Sequence, residues 1–553
     1  MRRPQTIWLI FILALAVRLL FLGQYPQGFT ADEASQGYTA YSLLKTGKDE
    51  WGIRWPISSF RAFADYRAPL QTYLVIPSIA LFGLNEFAVR LPSAIFGSLA
   101  ILAIYLLVKQ LFPDRKKLPA IAALLLAISP WHIQFSRTAL EANFASFLFP
   151  MGLYFLLAGA KKPGRNLILS AIFLGLNLYS YLAAKLFVPI FLAAYSVLNF
   201  KKISSNIKGY ISFAVIFLIF AAPIFTDTFW GPGNVRGKDL IISNFSAESL
   251  ESIKREQYYS DLNSVSPQLS RIFSNKVTFT VQQFINNYVS YLSPSFWFTE
   301  GGREITYSVF PGNGLLYLFM LPLVVYGLYA LIRINHPAKK IILIWLFIGI
   351  IPAALTKDGY RPNRVGSLLG LWEIVAALGF WELLKLIPSK FKKISIILTS
   401  FIVTVSVISY LNLYFFTSPI KYPESLLYGY RELVAKIEKL SPQYSRVIID
   451  RGSQSQVFIA FYTKMDPSFY QDFSKEWWPV IEKKNLLFLD MINEYELGKF
   501  TFKSFDPSSD LIPGNLVVIK TEKYNPNFAL NVLDRVDYPD DTPAFYILSY
   551  VKK

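Results

Sequence analysis

The 553-residue chain contains no cysteine and only two histidines, His132 and His336. The first absence excludes a disulfide framework, thiolate metal sites and a cysteine nucleophile, and the second excludes a multi-histidine zinc centre. Charge is scarce as well: Asp, Glu, Lys and Arg make up 17% of the residues, against about 25% in soluble domains. That argues against an ordinary cytosolic enzyme. Acid is scarcer than base, with 37 Asp+Glu against 55 Lys+Arg and a net charge of +18. Such a balance fits a nucleic-acid binder, an anionic membrane surface or something else, and the placement of the charges along the chain decides among them. No glycine-rich phosphate loop and no internal repeat interrupts the chain.

What the chain has is apolar sequence. Long apolar runs recur over 7–22, 87–108, 118–135, 142–160, 166–183, 185–200, 209–226, 312–332, 341–356, 365–384 and 394–416. Each approaches or exceeds the length needed to cross a hydrocarbon core ~30 Å thick, so the pattern predicts an α-helical polytopic membrane protein with about eleven transmembrane helices. A twelfth run, Leu70–Leu84, holds Pro77 and at ~22 Å falls short of spanning. It reads as a juxtamembrane or re-entrant helix.

The basic residues orient these spans. With the amino terminus inside, the cytoplasmic segments are 1–6, 109–117, 161–165, 201–208, 333–340 and 385–393, which carry 19 Lys+Arg against one acid, Asp114. This is the asymmetry expected of short cytoplasmic loops. The remainder of the chain holds 36 basic and 36 acidic residues, so the excess charge is a topological signal and not a nucleic-acid surface. The segments 23–86, 227–311 and 417–553 then lie outside. The run Ile7–Leu22 follows a basic start but precedes no small-residue cleavage site, and reads as a retained anchor. From 417 onward charges mix with β-rich runs at Arg446–Asp450, Asn515–Thr521 and Ala544–Val551, preceded by a helix-like stretch Pro423–Leu440. This predicts a small extracytoplasmic α/β domain over 417–553, after a membrane module over 1–416 with outer loops 23–86 and 227–311.

The first outer loop opens on Thr30-Ala31-Asp32-Glu33. Thr30 with Glu33 is a capping box for a helix starting at Asp32. The alternative is a catalytic base or metal ligand facing a cavity open to the outside. Further on stand Asp65-Tyr66-Arg67-Ala68-Pro69-Leu70 and Phe82-Gly83-Leu84-Asn85-Glu86-Phe87-Ala88-Val89-Arg90-Leu91-Pro92-Ser93. Taken in order, the Asp-Glu-Ala, the basic residue before Pro-Leu, and the Phe-Gly-x-x-Glu-Phe-x-x-Arg-Leu-Pro-Ser motif resemble the GT-C glycosyltransferases that use lipid-phosphosugar donors, near the lipid A aminoarabinose transferases and protein O-mannosyltransferases. The resemblance covers about 7–416 and is most specific over 29–145. Relatives commonly carry Lys-Pro-Pro-Leu where this chain has Arg67-Ala68-Pro69-Leu70.

The resemblance implies a polyprenyl-phosphate sugar donor, a hydroxyl acceptor on lipid, glycan or protein, and an outer-face site in the plasma membrane. It gives catalytic roles to Asp32 and Glu33, and substrate-binding roles to Asp65 and Arg67. It also implies cavity-lining roles for Arg137 and Glu141, which stand at helical i,i+4 spacing and could equally close an internal ion pair. Lys185, in a Tyr-rich turn, either snorkels to headgroups or meets a lipid phosphate. Arg361 and Arg364 sit in a basic turn on the side where positive charge is normally sparse, which favours phosphate binding. A divalent cation such as Mg2+ or Mn2+ on Asp32, Glu33 or Glu141 is the one cofactor considered, and no nucleotide cofactor is expected. The rival readings are a transporter or lipid-linked-sugar flippase, with mid-membrane charges and two related halves, and a receptor or structural membrane protein.

Overall fold

The computed structural model describes residues 4–63, 65–231, 233, 235–263, 266–484, 486, 488–528 and 530–550. Arg2 and Arg3 of the amino-terminal basic pair lie outside the described residues. The chain divides into two compact units built from interleaved segments: one from Met1–Ile10, Ala100–His132 and Ala145–Ser400, the other from Phe11–Leu99, Ile133–Phe144 and Phe401–Lys553. This division does not fall at 416/417. The segment read as a separate carboxyl-terminal domain belongs to the same unit as the outer loop that carries Asp32.

The first unit is helical. Its helices include Leu118–Ile128, Ala145–Gly159, Arg165–Asn177, Leu182–Leu198, Ile207–Trp230, Met320–Arg333, Ala338–Ala354 and Leu371–Leu386. Among the described residues of the whole chain, four helices are long and apolar enough to cross a membrane: Glu86–Leu111, Glu141–Gly159, Ile207–Trp230 and Ser389–Lys421. The number rises to six if each of two bent pairs is one span. These pairs are Leu118–Ile128 with Pro130–Arg137, bent by 58°, and Pro362–Leu368 with Leu371–Leu386, bent by 55°. The apolar stretches are thus helical, but several are shorter or more broken than their hydropathy suggests. The helix Ser389–Asn412 turns Ile397, Phe401 and Ile408 outward, as a lipid-facing helix does and a water-facing one does not.

The second unit joins outer-loop helices to a six-stranded sheet. A short hairpin pairs β1 (Phe60–Ala62) with β2 (Asp65–Arg67). The large sheet uses β3 (Arg446–Asp450), β4 (Glu494–Leu497), β5 (Phe500–Lys503), β6 (Asn515–Lys520), β7 (Leu530–Asp537) and β8 (Pro543–Tyr550) in the order β4-β5-β3-β6-β8-β7. The central strand β3 runs parallel to both β5 and β6, and the other pairs are antiparallel. Central strands covered on both faces should be apolar at successive positions. Val447 and Ile449 accordingly face one core while Ile448, Val517 and Ile519 face another. The stretch Pro423–Leu440 is not one helix. Left-handed backbone at Leu427 and Gly429 interrupts it, and the regular helix begins at Tyr430.

The larger of these cores also takes in Ala34 and Tyr38 of the helix Ala31–Thr46, and Val75 and Ile79 of the helix Leu70–Phe82. The tie is specific. Tyr38 Oη donates to the Met465 carbonyl at 3.1 Å, and Gln471 Nε2 reaches Ser42 Oγ and Thr46 Oγ1, each at 3.1 Å. Trp51 meets Trp478 edge-on at 5.2 Å. Gly37 lies so close to Phe461 and Val89 that a Cβ would stand 2.6 Å from both.

Candidate functional site

The helix Ala31–Thr46 begins with the capping box expected from its sequence. Glu33 N–H donates to Thr30 Oγ1 at 3.2 Å, and Thr30 N–H donates back to Glu33 Oε2 at 3.0 Å. Two acids in the first turn also suit the positive end of the helix dipole. The two carboxylates then diverge. Glu33 is 2% exposed, and its Oε1 accepts from Arg90 Nε at 2.8 Å and from the Ala139 N–H at 3.2 Å. Asp32, one residue earlier, is half-buried. Glu33 is therefore committed to neutralising a buried arginine and capping its own helix, which makes it a positioning group and not a second catalytic carboxylate.

Arg90 is the residue that organises this corner. Besides Glu33 it donates to three main-chain carbonyls: Leu22 at 3.3 Å, Pro26 at 3.1 Å and Gly28 at 2.6 Å. It thereby fixes the chain that leads from the first apolar helix to Asp32. Arg67 acts one turn further along. Its Nη2 donates to Ser35 Oγ at 2.6 Å and Thr39 Oγ1 at 3.0 Å, and lies 3.6 Å from Glu50 Oε1. Glu50 also accepts from Thr39 Oγ1 and, at 3.1 Å, from Ser35 Oγ. Burial pushes the Glu50 carboxyl up, and Arg67 opposes that shift. Arg67 is thus a buried brace for the helix, and the positive charge that its sequence position offered to substrate is spent inside the protein. Asp65 closes the β1–β2 hairpin, accepting the Tyr66 N–H at 2.7 Å.

Arg137 and Glu141 do not form the expected i,i+4 pair. The helix Pro130–Arg137 stops at Arg137, and Glu141 opens a separate short turn, Glu141–Phe144. Arg137 is fully buried and donates to the carbonyls of Val17, Leu20 and Tyr25 at 2.5, 2.8 and 3.1 Å, with Tyr414 Oη at 3.2 Å. It clamps the end of the first helix and does not line an open cavity. Glu141 approaches the face that bears Asp32: Gln36 Nε2, one turn after Asp32, stands 3.5 Å from Glu141 Oε1.

The cations proposed for phosphate lie in the other unit. Lys185 occupies the first turn of the helix Leu182–Leu198, the end where a cation opposes the helix dipole and an anion is welcome. Arg361 and Arg364 are neighbours in the turn after Ala338–Ala354. Arg364 donates to Thr356 Oγ1 at 2.5 Å and the Asp358 carbonyl at 3.0 Å. Arg361 pairs with Glu304 and lies 3.7 Å from Asp358. Burial and then the adjacent Arg364 hold the Arg361 guanidinium below its ordinary value. Burial also pushes the nearby Tyr291 hydroxyl up to about 12.

No group of three or more His, Asp or Glu side chains is arranged to hold a metal ion among the described residues. Asp32, Glu33 and Glu141 do not form such a set, because Glu33 is already bonded to Arg90, Thr30 and Ala139. The residues present do not fit the divalent cation, and no step is assigned to one.

Residues 66–226 match the dolichyl-phosphate-mannose-protein mannosyltransferase family. An undecaprenyl phosphate-alpha-4-amino-4-deoxy-L-arabinose arabinosyl transferase of Pseudomonas fluorescens is 29% identical over 142 residues, which are 25% of this chain and 24% of that protein. The match therefore spans about a quarter of the curated relative's length. Across the whole fold, ArnT from Cupriavidus metallidurans bound to undecaprenyl phosphate aligns with a TM-score of 0.55 at 13% identity, covering 99% of this chain and 98% of that one. The chain shares this fold over nearly its full length. An Archaeoglobus fulgidus oligosaccharyltransferase tethered with an acceptor peptide aligns with a TM-score of 0.51 at 14% identity, over 94% of this chain and 69% of that one.

Within this chain the sequence signals that were missed are the structural partners. Arg90 stood in the motif that carries the resemblance, yet nothing in the motif says that it grips Glu33. Glu86 of the same motif accepts from Arg431 Nε at 2.7 Å and Tyr462 Oη at 2.9 Å. Both partners are more than 340 residues distant in sequence, and no local pattern points to them.

Proposed function

We propose that the chain is an integral membrane glycosyltransferase that moves a sugar from a polyprenyl-phosphate donor to a hydroxyl acceptor at the outer face. The observation that carries this reading is the GT-C fold over essentially the full chain, shared with a protein whose crystal structure holds undecaprenyl phosphate. The eleven-span topology, with 23–86 and 417–553 extracytoplasmic, is part of the same proposal and is supported by the lysine-rich loops on one side.

In the reaction Asp32 Oδ accepts the acceptor's hydroxyl proton as that oxygen attacks C1 of the sugar. The C1–O bond to phosphate breaks with its electron pair on the phosphate oxygen, so the anomeric centre inverts in one displacement. Charge on the departing polyprenyl phosphate is met by Lys185, Arg361 and Arg364. Glu33, Arg90 and Arg67 hold the helix that presents Asp32. Glu141 and Asp65 complete the acidic surround on the acceptor side.

The test is transfer by purified Asp32→Asn in liposomes supplied with a polyprenyl-phosphate sugar. Loss of general-base help should lower turnover by about 10²–10⁴-fold while the melting temperature stays unchanged. Turnover equal to that of the parent protein removes Asp32 from the reaction. Net lipid movement by parent protein that transfers no sugar would favour the flippase instead.

A further inference from the structure

Within the helical unit a cavity of about 920 Å³ opens where the ends of Glu86–Leu111, Ala145–Gly159 and Leu182–Leu198 meet the start of Ala338–Ala354. Its lining has two characters. Lys161, Lys201, Lys202 and Lys340 bring four positive charges to it, and Val197, Leu198 and Phe200 bring an apolar wall. None of the four lysines forms an ion pair among the described residues. Val197 and Phe200 are 78% and 70% exposed, apolar surface that hydrocarbon covers better than water does. Lysines following a helix, as Lys161 does, simply complement its dipole, but Lys340 lies in the first turn of Ala338–Ala354, where the dipole opposes a cation. Loop lysines that only set orientation need no cavity beside them. Concentrated cations facing a half-open cavity next to exposed hydrocarbon match a ligand that is anionic at one end and apolar at the other.

We propose that this cavity binds an anionic diacyl phospholipid, with its phosphate among Lys161, Lys201, Lys202 and Lys340 and an acyl chain along Val197, Leu198 and Phe200. The site belongs to the basic-loop end of the helical unit and is independent of Asp32 chemistry. Basic pockets between membrane helices are a recurrent way of holding such headgroups, and each lysine adds attraction. Bound there, the lipid covers apolar side chains that no protein element covers.

The experiment is native mass spectrometry of the full chain, delipidated in neutral detergent and titrated with phosphatidylglycerol or phosphatidylcholine. Phosphatidylglycerol should bind at least about tenfold more tightly. The combined Lys161→Gln, Lys201→Gln, Lys202→Gln, Lys340→Gln variant should lose that preference. Leu198→Trp, which fills the apolar wall and keeps every charge, should weaken phosphatidylglycerol binding as well, and it carries the test if the fourfold variant does not fold. Equal retention of the two lipids, unchanged affinity in both variants, displacement by millimolar inorganic phosphate alone, or preference for polyprenyl phosphate over phosphatidylglycerol would each overturn the proposal.

Discussion

Arg90 makes five hydrogen bonds from a position that is 1% exposed, two of them to Glu33 and three to main-chain carbonyls. A buried charge of this kind is held in place more by the cost of removing its partner than by the strength of the pair itself. Arg90→Ala leaves the buried Glu33 carboxylate without its counter-charge and frees three main-chain carbonyls, and should destabilise the protein by about 3–5 kcal/mol. Arg90→Lys should recover little, because an ammonium group cannot span the carboxylate and the carbonyls at once. Thermal melting in detergent measures both, and a melting point within a degree of the parent for Arg90→Ala would refute the account. The same residue shows what sequence can reveal. Asp32 and Glu33 were visible because a capping box is a local pattern, whereas Arg90's role was hidden because carbonyls at 22, 26 and 28 are supplied by any side chain whatever.

The helix Glu86–Leu111 passes close to Pro130–Arg137 at Gly97, where an added Cβ would collide with Ser136 Oγ and lie 2.6 Å from its Cβ. Alanine favours a helix over glycine by ~1 kcal/mol, but overpacking of a close contact costs ~1–3 kcal/mol. Gly97→Ala is therefore expected to lower the melting temperature, and Ser136→Gly in the same chain to restore most of the loss. A melting point raised by Gly97→Ala alone would show that the two helices separate freely. The break after Arg137 belongs to this scale too. The i,i+4 spacing of Arg137 and Glu141 would put both on one face of a helix, but Thr138 turns its Oγ1 back to the Gln134 carbonyl at 3.0 Å, and the Ala139 N–H goes to Glu33, 106 residues earlier. A helix end set by a distant carboxylate leaves no glycine or proline to announce it. The apolar helices themselves were legible because hydrophobicity at that length has few other meanings.

The unit that carries Asp32 is built around groups that resist ionisation. Asp49 is fully buried, with Oδ1 accepting from the Trp51 and Ile53 N–H groups at 3.0 and 2.8 Å. Burial, then the neighbouring Glu50, pushes its carboxyl up to about 7 from an ordinary 3.8. Below the ordinary value both folded and unfolded chains hold the proton, so nothing is lost. Between that value and about 7 the unfolded chain gives up its proton while the folded chain keeps it, so stability falls as pH rises and then levels off. The melting temperature should decrease from about pH 4 to about pH 7, and Asp49→Asn should flatten that slope. A flat profile in the parent protein, or an unchanged slope in the variant, would contradict this. At this scale the sequence was least informative. Composition separated 417–553 from the rest, but not its membership in one core with residues 29–89, because a core assembled from both ends of the chain has no local signature.

That shared core sets a clock on synthesis. The helix Ala31–Thr46 is among the first segments made, yet Tyr38, Ser42 and Thr46 find their partners at Met465, Tyr470 and Gln471. At ~5–20 residues per second, the wait is on the order of half a minute. Through that time the helix has its early partners, Val75, Ile79 and Arg67, but not the face of the core that Tyr38, Ser42 and Thr46 meet. Only when residues 465–471 have been made does the helix that carries Asp32 gain these partners. A ribosome that stalls before residue 465 would leave a chain whose Asp32 helix lacks half of its core.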